Sequence, residues 1–155
     1  FGFRFVQVTT PTMLNLQAFL PYRLSIASNA VSARIAREYQ SRFGLKIPEW
    51  RLMAVLGEGK ALTQRELVAA TLMDKVTVNR AAKALADRLL IERHAHGSDG
   101  RSHHLILSAA GKALYDEIVP AALAMEQKLL AALSADERAQ LDAMLAKLVL
   151  AADAR

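Results

Sequence analysis

The stretch "DKVTVNRAAKALADRL", residues 74–89, decides the fold of this chain. Its apolar residues recur at steps of four, three and four, which places them on one stripe of a predicted helix. That stripe consists of Val78, Ala82, Leu85 and Leu89. The other face consists of Lys75, Val76, Asn79, Arg80 and Lys83. The pattern predicts a helix with a small apolar back against the core and a basic front turned to an anionic partner. An ordinary solvated helix face is the alternative, since exposed Lys and Arg are common on helices.

A second short helix is predicted just before this one. "TQRE", residues 63–66, has the capping-box pattern, in which a Thr is followed three residues later by a Glu. It predicts a helix over about 63–70, and a break around Leu72–Met73 leads to Asp74, a good N-cap for the next helix. Two short helices joined by a tight turn form a helix-turn-helix unit.

A β-hairpin is predicted directly after the helix pair. "IERHAH", residues 91–96, and "SHHLIL", residues 102–107, alternate in part and flank the turn sequence "GSDGR". A helix-turn-helix followed by such a hairpin predicts a winged helix.

Longer helices are predicted on both sides of this unit. Residues 12–43 read as mostly helix, with Pro21 at its start or at a kink, and a helix over about 48–57 follows Gly44. Ser108 caps a helix that Pro120 is expected to kink, and a capping box at Ser134 opens the last helix.

The predicted fold class is therefore mainly α with a small β-hairpin wing. The expected division is a winged helix-turn-helix over 48–107 and a helical dimerisation region over 12–47 and 108–155. The interface residues that we expect are Leu20, Leu24, Leu141, Leu145 and Leu148.

Composition agrees with one helical, basic domain. The chain has 155 residues, a net charge of +5 and no cysteine, which excludes disulfides and thiolate metal sites. Its first two thirds are basic, which favours an anionic partner such as nucleic acid. No apolar run reaches membrane-spanning length and the first residues lack a signal-peptide pattern, so we expect no membrane partner and a cytoplasmic location.

The chemistry of the predicted front fits duplex DNA. Arg pairs with guanine, Asn with adenine, and an apolar Val contacts the thymine methyl, so Val76, Asn79 and Arg80 are the expected base readers. Lys75, Thr77 and Lys83 are expected at phosphates. An Arg at the hairpin tip suits a minor groove, although an ordinary surface turn is the alternative. The remaining candidate DNA-binding residues are Thr63, Gln64, Asp99, Arg101 and His103.

These features together resemble the MarR family of bacterial regulators. The resemblance is carried by "LTQRELVAATLMDKVTVNRAAKALADRLLIERHAHGSDGRSHHLILSAAGKALYDEIVP", residues 62–120, and extends over nearly all of the chain after about residue 14. It implies a triangular homodimer that presents two winged helices to a pseudo-palindromic operator, and a repressor that acts near its own gene. It also places Thr77, Asn79 and Arg80 on the groove-facing helix and Arg101 on the wing tip.

The resemblance further implies release from DNA by a small aromatic or phenolic ligand. The pocket is expected between the first helix and "PEWRLMAVL", with Arg23, Ile26, Trp50 and Met53 as lining residues. Arg23 would pair with an acidic ligand and Ile26 would form an apolar wall. An inter-helix ion pair for Arg23 and a core position for Ile26 are the alternative.

The chain departs from the family pattern at Leu89. The family usually has Gly there because the position after the recognition helix often needs a positive φ. Either the helix ends differently here, or the chain tolerates a strain of about 1 kcal/mol or more.

Other classes of function fit less well. The four histidines of the hairpin region suggest a metal cluster, but no carboxylate or thiolate partner completes it. The hydrolase, phosphate-loop and zinc-protease motifs are absent, so we expect no catalytic residue, no metal and no cofactor. The alternative outside the regulators is a winged-helix module that binds another protein instead of DNA.

Overall fold

The computed structural model describes residues 13–95 and 103–153. Six helices and three short strands lie in this part of the chain. They are α1 (Leu20–Phe43), α2 (Ile47–Leu56), β1 (Leu62–Thr63), α3 (Gln64–Thr71), α4 (Lys75–Asp87), β2 (Ile91–Ala95), β3 (His103–Leu107), α5 (Ala109–Leu130) and α6 (Ala135–Asp153). The predicted fold class, mainly helical with a small hairpin, is confirmed.

The strands form one antiparallel sheet in the order β1-β3-β2. In the hairpin, Ile91 pairs with Leu107 and Ala95 with His103. The alternation of the two segments predicted the hairpin, and the structure gives its register. The sequence did not reveal β1, in which Leu62 pairs with Leu105. A strand of two residues shows no alternation, so only its partner strand makes it visible.

Residues 45–107, here called the central lobe, contain most of the buried core. Leu45, Leu52, Leu67, Val78 and Leu85 have no exposed surface. The second half of α1 and the first half of α5 close this core, through Ala36, Tyr39 and Ile118. The core therefore holds α3 and α4 on a rigid base made by α2, α1 and α5.

Local capping explains where the helices begin. The Thr63 N–H donates to Glu66 Oε2 over 2.7 Å, and the Glu66 N–H donates back to Thr63 Oγ1 over 3.3 Å. Ser134 and Glu137 form the same reciprocal pair. The three capping predictions at Thr63, Ser108 and Ser134 are confirmed, because each bond spans only three residues.

Several predicted boundaries move. Residues 13–19 precede the first helix, which begins at Leu20 and so takes Pro21 into its first turn. Gly44 ends that helix with a φ of 64°, as predicted. Helix α2 begins at Ile47 instead of 48, and α3 begins after Thr63, which caps it. Helix α5 continues through Pro120.

Leu89 corrects the predicted stripe. The structure places it beyond the end of α4 with a φ of 58° and 76% of its surface exposed, so it is not part of the helix back. Its N–H donates to the Ala86 carbonyl and that of Leu90 to the Leu85 carbonyl, both over 2.9 Å. These bonds form a Schellman motif, which explains the left-handed conformation and turns Leu90 into the core instead.

The two ends of the described chain form what we call the arms, residues 13–31 and 139–153. Every residue in both is exposed. Among the described residues, no single helix is long and apolar enough to cross a membrane, and only the bent pair α5 and α6 together reaches the necessary length and composition.

Candidate nucleic-acid interface

Helix α4 has the two faces that its sequence predicted. Val78, Ala82 and Leu85 are fully buried, and Ala81 joins them with 3% of its surface exposed. The side chains turned to solvent are Lys75, Val76, Asn79, Arg80 and Lys83. This side of the helix, here called the α4 front, places donors for base edges beside cations for phosphates on one convex surface.

The cations of the α4 front are largely uncompensated. Lys83 pairs with Asp87 one turn away, over 2.9 Å, and both side chains are well exposed. An exposed pair of this kind contributes little and exchanges readily with a phosphate partner. Lys75 and Arg80 form no ion pair with any described residue.

Asp74 and Thr77 fix the start of α4. The Thr77 N–H donates to Asp74 Oδ1 over 2.8 Å and its hydroxyl donates to Asp74 Oδ2 over 2.6 Å. The hydroxyl bond first, and the N–H bond second, hold the pKa of the Asp74 carboxyl below its usual value. Thr77 was predicted at a phosphate, and the structure shows that it also serves this cap while half-buried.

Helix α3 brings Thr63 and Gln64 to the same side of the central lobe. Thr63 is engaged in its capping box, and Gln64 is half-buried. Gln64 and Lys75 line one groove of about 260 Å³ together with Arg65 and Val68. Arg65, an exposed cation at the start of α3, was not predicted in the site, because an isolated Arg carries no signal in the sequence.

A second groove beside α4 was also missed. It measures about 270 Å³ and lies between the start of α2 and the α4 front, with Lys46, Glu49, Thr77 and Arg80 in its wall. Glu49 is 7% exposed and its carboxylate accepts the Lys46 N–H over 2.9 Å. The groove joins residues that are separated by some thirty positions along the chain, and local patterns do not report such distances.

The wing residues are only partly described. Asp99 and Arg101 lie outside the described residues, and His103 is exposed at the start of β3. His94 faces His104 across the hairpin and its Nε2 lies 3.2 Å from Glu92 Oε2. Within the described part of the chain, no group of three His, Cys, Asp or Glu residues is arranged to hold a metal ion.

Two of the four predicted ligand residues line one groove in the described part of the chain. Arg23 and Ile26 line a groove of about 360 Å³ on α1 with Gln17 and Tyr22. Trp50 instead lies between two tyrosines, with ring centroids 5.5 Å from Tyr39 and 6.0 Å from Tyr115.

Met53 has no exposed surface and belongs to the core. The residue that we expected at a ligand pocket therefore occupies a core position on α2 in the single chain.

The predicted interface leucines all lie on the arms. Leu20, Leu24 and Leu145 expose between 38% and 47% of their surface, and Leu141 and Leu148 are similar. The described arms also expose Leu16, Ile26, Met144, Val149 and Leu150. Exposed apolar surface of this extent is typical of an interface.

Comparison with known proteins identifies a family model and a curated relative that match this chain. The family model described as "MarR family" matches residues 43–102. The HTH-type transcriptional repressor Rv2887 of Mycobacterium tuberculosis is 29% identical over 131 residues, which are 84% of this chain and 91% of the relative.

Two solved structures are similar over nearly their whole length. The "probable transcriptional regulator" from Pseudomonas aeruginosa is 31% identical, with a TM-score of 0.77 over 86% of this chain and 99% of its own. Bordetella bronchiseptica BpsR, whose DNA binding is regulated by 6-hydroxynicotinic acid, is 25% identical, with a TM-score of 0.75 over 84% and 98%.

Proposed function

The chain belongs to the MarR family of transcriptional regulators, which are DNA-binding proteins and not enzymes, and on that premise we propose how it acts. It is a homodimeric repressor. It binds a pseudo-palindromic operator through two copies of the α4 front and leaves DNA when a small aromatic acid binds. We propose further that it works in the bacterial cytoplasm, at the nucleoid when bound.

The observation that carries the proposal is the α4 front itself. Asn79, Arg80 and Val76 are exposed together, on a helix whose back is fully buried and whose start is fixed by Asp74. A helix held this firmly keeps its side chains in one register with the base edges, which sequence-specific reading requires. Lys75 and Lys83 at its margins, with Gln64 on α3 and Thr63 at the N-cap of α3, supply phosphate contacts that orient the central lobe.

The arms support the dimer. The leucines of residues 13–31 and 139–153 are each at least 37% exposed in the described single chain. A second copy covers them most economically, because a two-fold interface pairs each arm with an identical one. In that arrangement 12–47 and 108–155 serve assembly, 48–107 serves DNA, and the two α4 helices are spaced for half-sites one helical turn apart.

A ligand acts through the groove that Arg23 and Ile26 line. Arg23 suits the carboxylate of a small aromatic acid, Tyr22 offers a ring for stacking, and Ile26 adds apolar surface. Because the groove lies on an arm, an occupied groove changes the geometry of the dimer. The affinity for the operator falls by the ratio of the ligand's affinities for two dimer geometries, the one that does not fit DNA and the one that does.

The test is a fluorescence-anisotropy titration against duplex DNA from upstream of the protein's own gene, beside a scrambled duplex, at two salt concentrations. We expect selective binding that weakens with salt. Arg80→Ala should lower the affinity by about 1–3 kcal/mol and reduce selectivity. Arg37→Ala is the matched control, since it removes an equal charge from an exposed position on α1. Equal losses in both variants would mean that Arg80 contributes only charge.

Absence of salt-dependent binding to either duplex would overturn the regulator proposal and favour a protein-binding module. The ligand step is tested separately with 6-hydroxynicotinic acid as the probe. It should release the operator from the parent protein and release it less well from Arg23→Gln. Equal release from both proteins would remove Arg23 from the ligand site.

A further inference from the structure

Arg88 forms a long-range contact that joins α4 to α1. Its Nη2 donates to the Phe43 carbonyl over 2.9 Å, and its Nη1 lies 3.4 Å from the Gly44 carbonyl, to which it also donates. Arg88 is the residue that caps the end of α4, and Phe43 is the last residue of α1. The two helices therefore meet end to end through one guanidinium.

The chemistry of this contact is specific. The last carbonyls of a helix have no partner within the helix and carry its negative partial charge. A guanidinium presents several N–H groups in a rigid fork, so it can satisfy two such carbonyls at once and complement their charge. A lysine in its place offers one compact charge without the fork.

The backbone of Arg88 is held in place from both sides. Its N–H donates to the Ala84 carbonyl at the end of α4, and Leu89 and Leu90 close the Schellman motif behind it. Leu90 is 7% exposed, and the Ser108 N–H donates to its carbonyl over 3.1 Å. With the backbone fixed in this way, the Arg88 side chain reaches the end of α1 from a defined position.

We propose that Arg88 is a positioning residue that makes the orientation of α4 follow the orientation of α1, and so couples the arms to operator reading. Helix α1 has 24 residues, and at about 1.5 Å per residue it is roughly 36 Å long. One end carries the exposed arm and the groove at Arg23, and the other end meets Arg88. The inference rests on the proposed function, since it concerns the spacing of two α4 helices on DNA.

The first experiment separates positioning from simple charge. Arg88→Ala is compared with Arg88→Lys and with Arg42→Ala, which removes an exposed arginine beside the same end of α1. Each variant is titrated against the operator and against operators with one base pair added or removed between the half-sites. We expect Arg88→Ala to bind the native spacing about tenfold more weakly and to discriminate less between spacings.

The two controls sharpen this expectation. Arg88→Lys should recover part of the spacing discrimination, and Arg42→Ala should behave as the parent. If Arg88→Ala instead weakens all spacings by one factor and lowers the slope of the salt dependence by about one, Arg88 is a phosphate contact and the inference is wrong. Unchanged spacing discrimination also overturns it.

A second measurement requires no DNA. The chain contains no cysteine, so Asn29→Cys on the arm and Val76→Cys on α4 introduce one spin-label pair. Diluting with unlabelled protein isolates the distance within one chain. We expect a narrow distribution in the parent and in Arg42→Ala, and a broader one in Arg88→Ala at an unchanged melting temperature. Equal distributions overturn the coupling, whereas a parent that fails to select its operator overturns only the proposed function.

Discussion

Apolar residues recur with similar helical spacing in the central lobe and in the arms, but they are buried in the central lobe and exposed in the arms. In the central lobe the stripe of α4 is buried within its own chain, and Val78, Ala82 and Leu85 have no exposed surface. In the arms, the leucines of α1 and α6 recur at comparable spacing, yet α6 has no buried residue at all. Helical spacing therefore shows which face of a helix is apolar, while only the surrounding structure shows what covers that face.

The energetic consequence differs between the two regions. The central lobe is stabilised by apolar surface that is buried within one chain. A core substitution there should therefore lower the free energy of unfolding even in a monomer. We expect the apolar surface that the arms leave exposed to add stability only when a partner covers it, and that gain then belongs to the assembly. Substitutions in the two regions should therefore have different effects.

Leu85→Ala should lower the free energy of unfolding by about 2–5 kcal/mol, because it leaves a cavity at a fully buried position. Val76→Ala on the same helix is the matched control. Val76 is 57% exposed, and its truncation should change stability by no more than about 0.5 kcal/mol. Urea unfolding followed by circular dichroism measures both, and equal losses would contradict the assignment of the two faces of α4.

The double substitution Leu145→Asp and Leu148→Asp should raise the dissociation constant of the dimer more than a hundredfold, which corresponds to about 3 kcal/mol. A carboxylate without a partner is costly to bury at an interface. Light scattering should give the mass of one chain, while the central lobe keeps its cooperative unfolding. Ala139→Asp, on the other side of α6, should remain dimeric, and a dimer in the double variant would show that the α6 leucines are not the interface.

Gly111→Ala tests the junction where the central lobe meets α5. A Cβ at this position would lie 1.9 Å from the Leu90 carbonyl oxygen, which is backbone and cannot swing away. We expect a loss of about 1–3 kcal/mol in denaturant unfolding from overpacking. If the space were free, the same change would stabilise the helix by about 1 kcal/mol. The sign of the change in unfolding free energy therefore distinguishes a filled site from a free one.

Asp74→Asn should change how stability depends on pH. The folded-state pKa of Asp74 is lowered by the Thr77 hydroxyl and N–H, so its carboxylate contributes stability above the unfolded pKa. That contribution disappears as pH falls through the lowered folded pKa. Melting temperatures taken from neutral to strongly acidic pH should converge for parent and variant, and a constant difference would contradict the link.

Leu89→Gly should have the smallest effect, a stabilisation between about zero and 1.5 kcal/mol. Glycine removes a left-handed strain of about 1–2 kcal/mol but costs about 0.5–1 kcal/mol of backbone entropy. Little packing is lost because Leu89 is 76% exposed. Leu90→Gly, at a buried neighbour, should destabilise clearly in the same thermal assay.

Most of the central lobe was predictable from its sequence. The hairpin, the cap at Asp74 and the two faces of α4 follow from alternation, capping and helical spacing. Leu89 was wrongly assigned to the stripe, because helical counting does not show that α4 ends at Asp87 and that the chain turns at Leu89.

The sequence by itself determined which segments become helices and where they begin, because Thr63 with Glu66 and Ser134 with Glu137 act within three residues. Only the tertiary structure decided the β1 pairing, the burial of Met53 and the contact of Arg88 with Phe43, 45 residues away. Contacts between distant residues leave no fixed spacing in a sequence. They depend on how helices of similar pattern are packed, and that packing is set by the whole core at once.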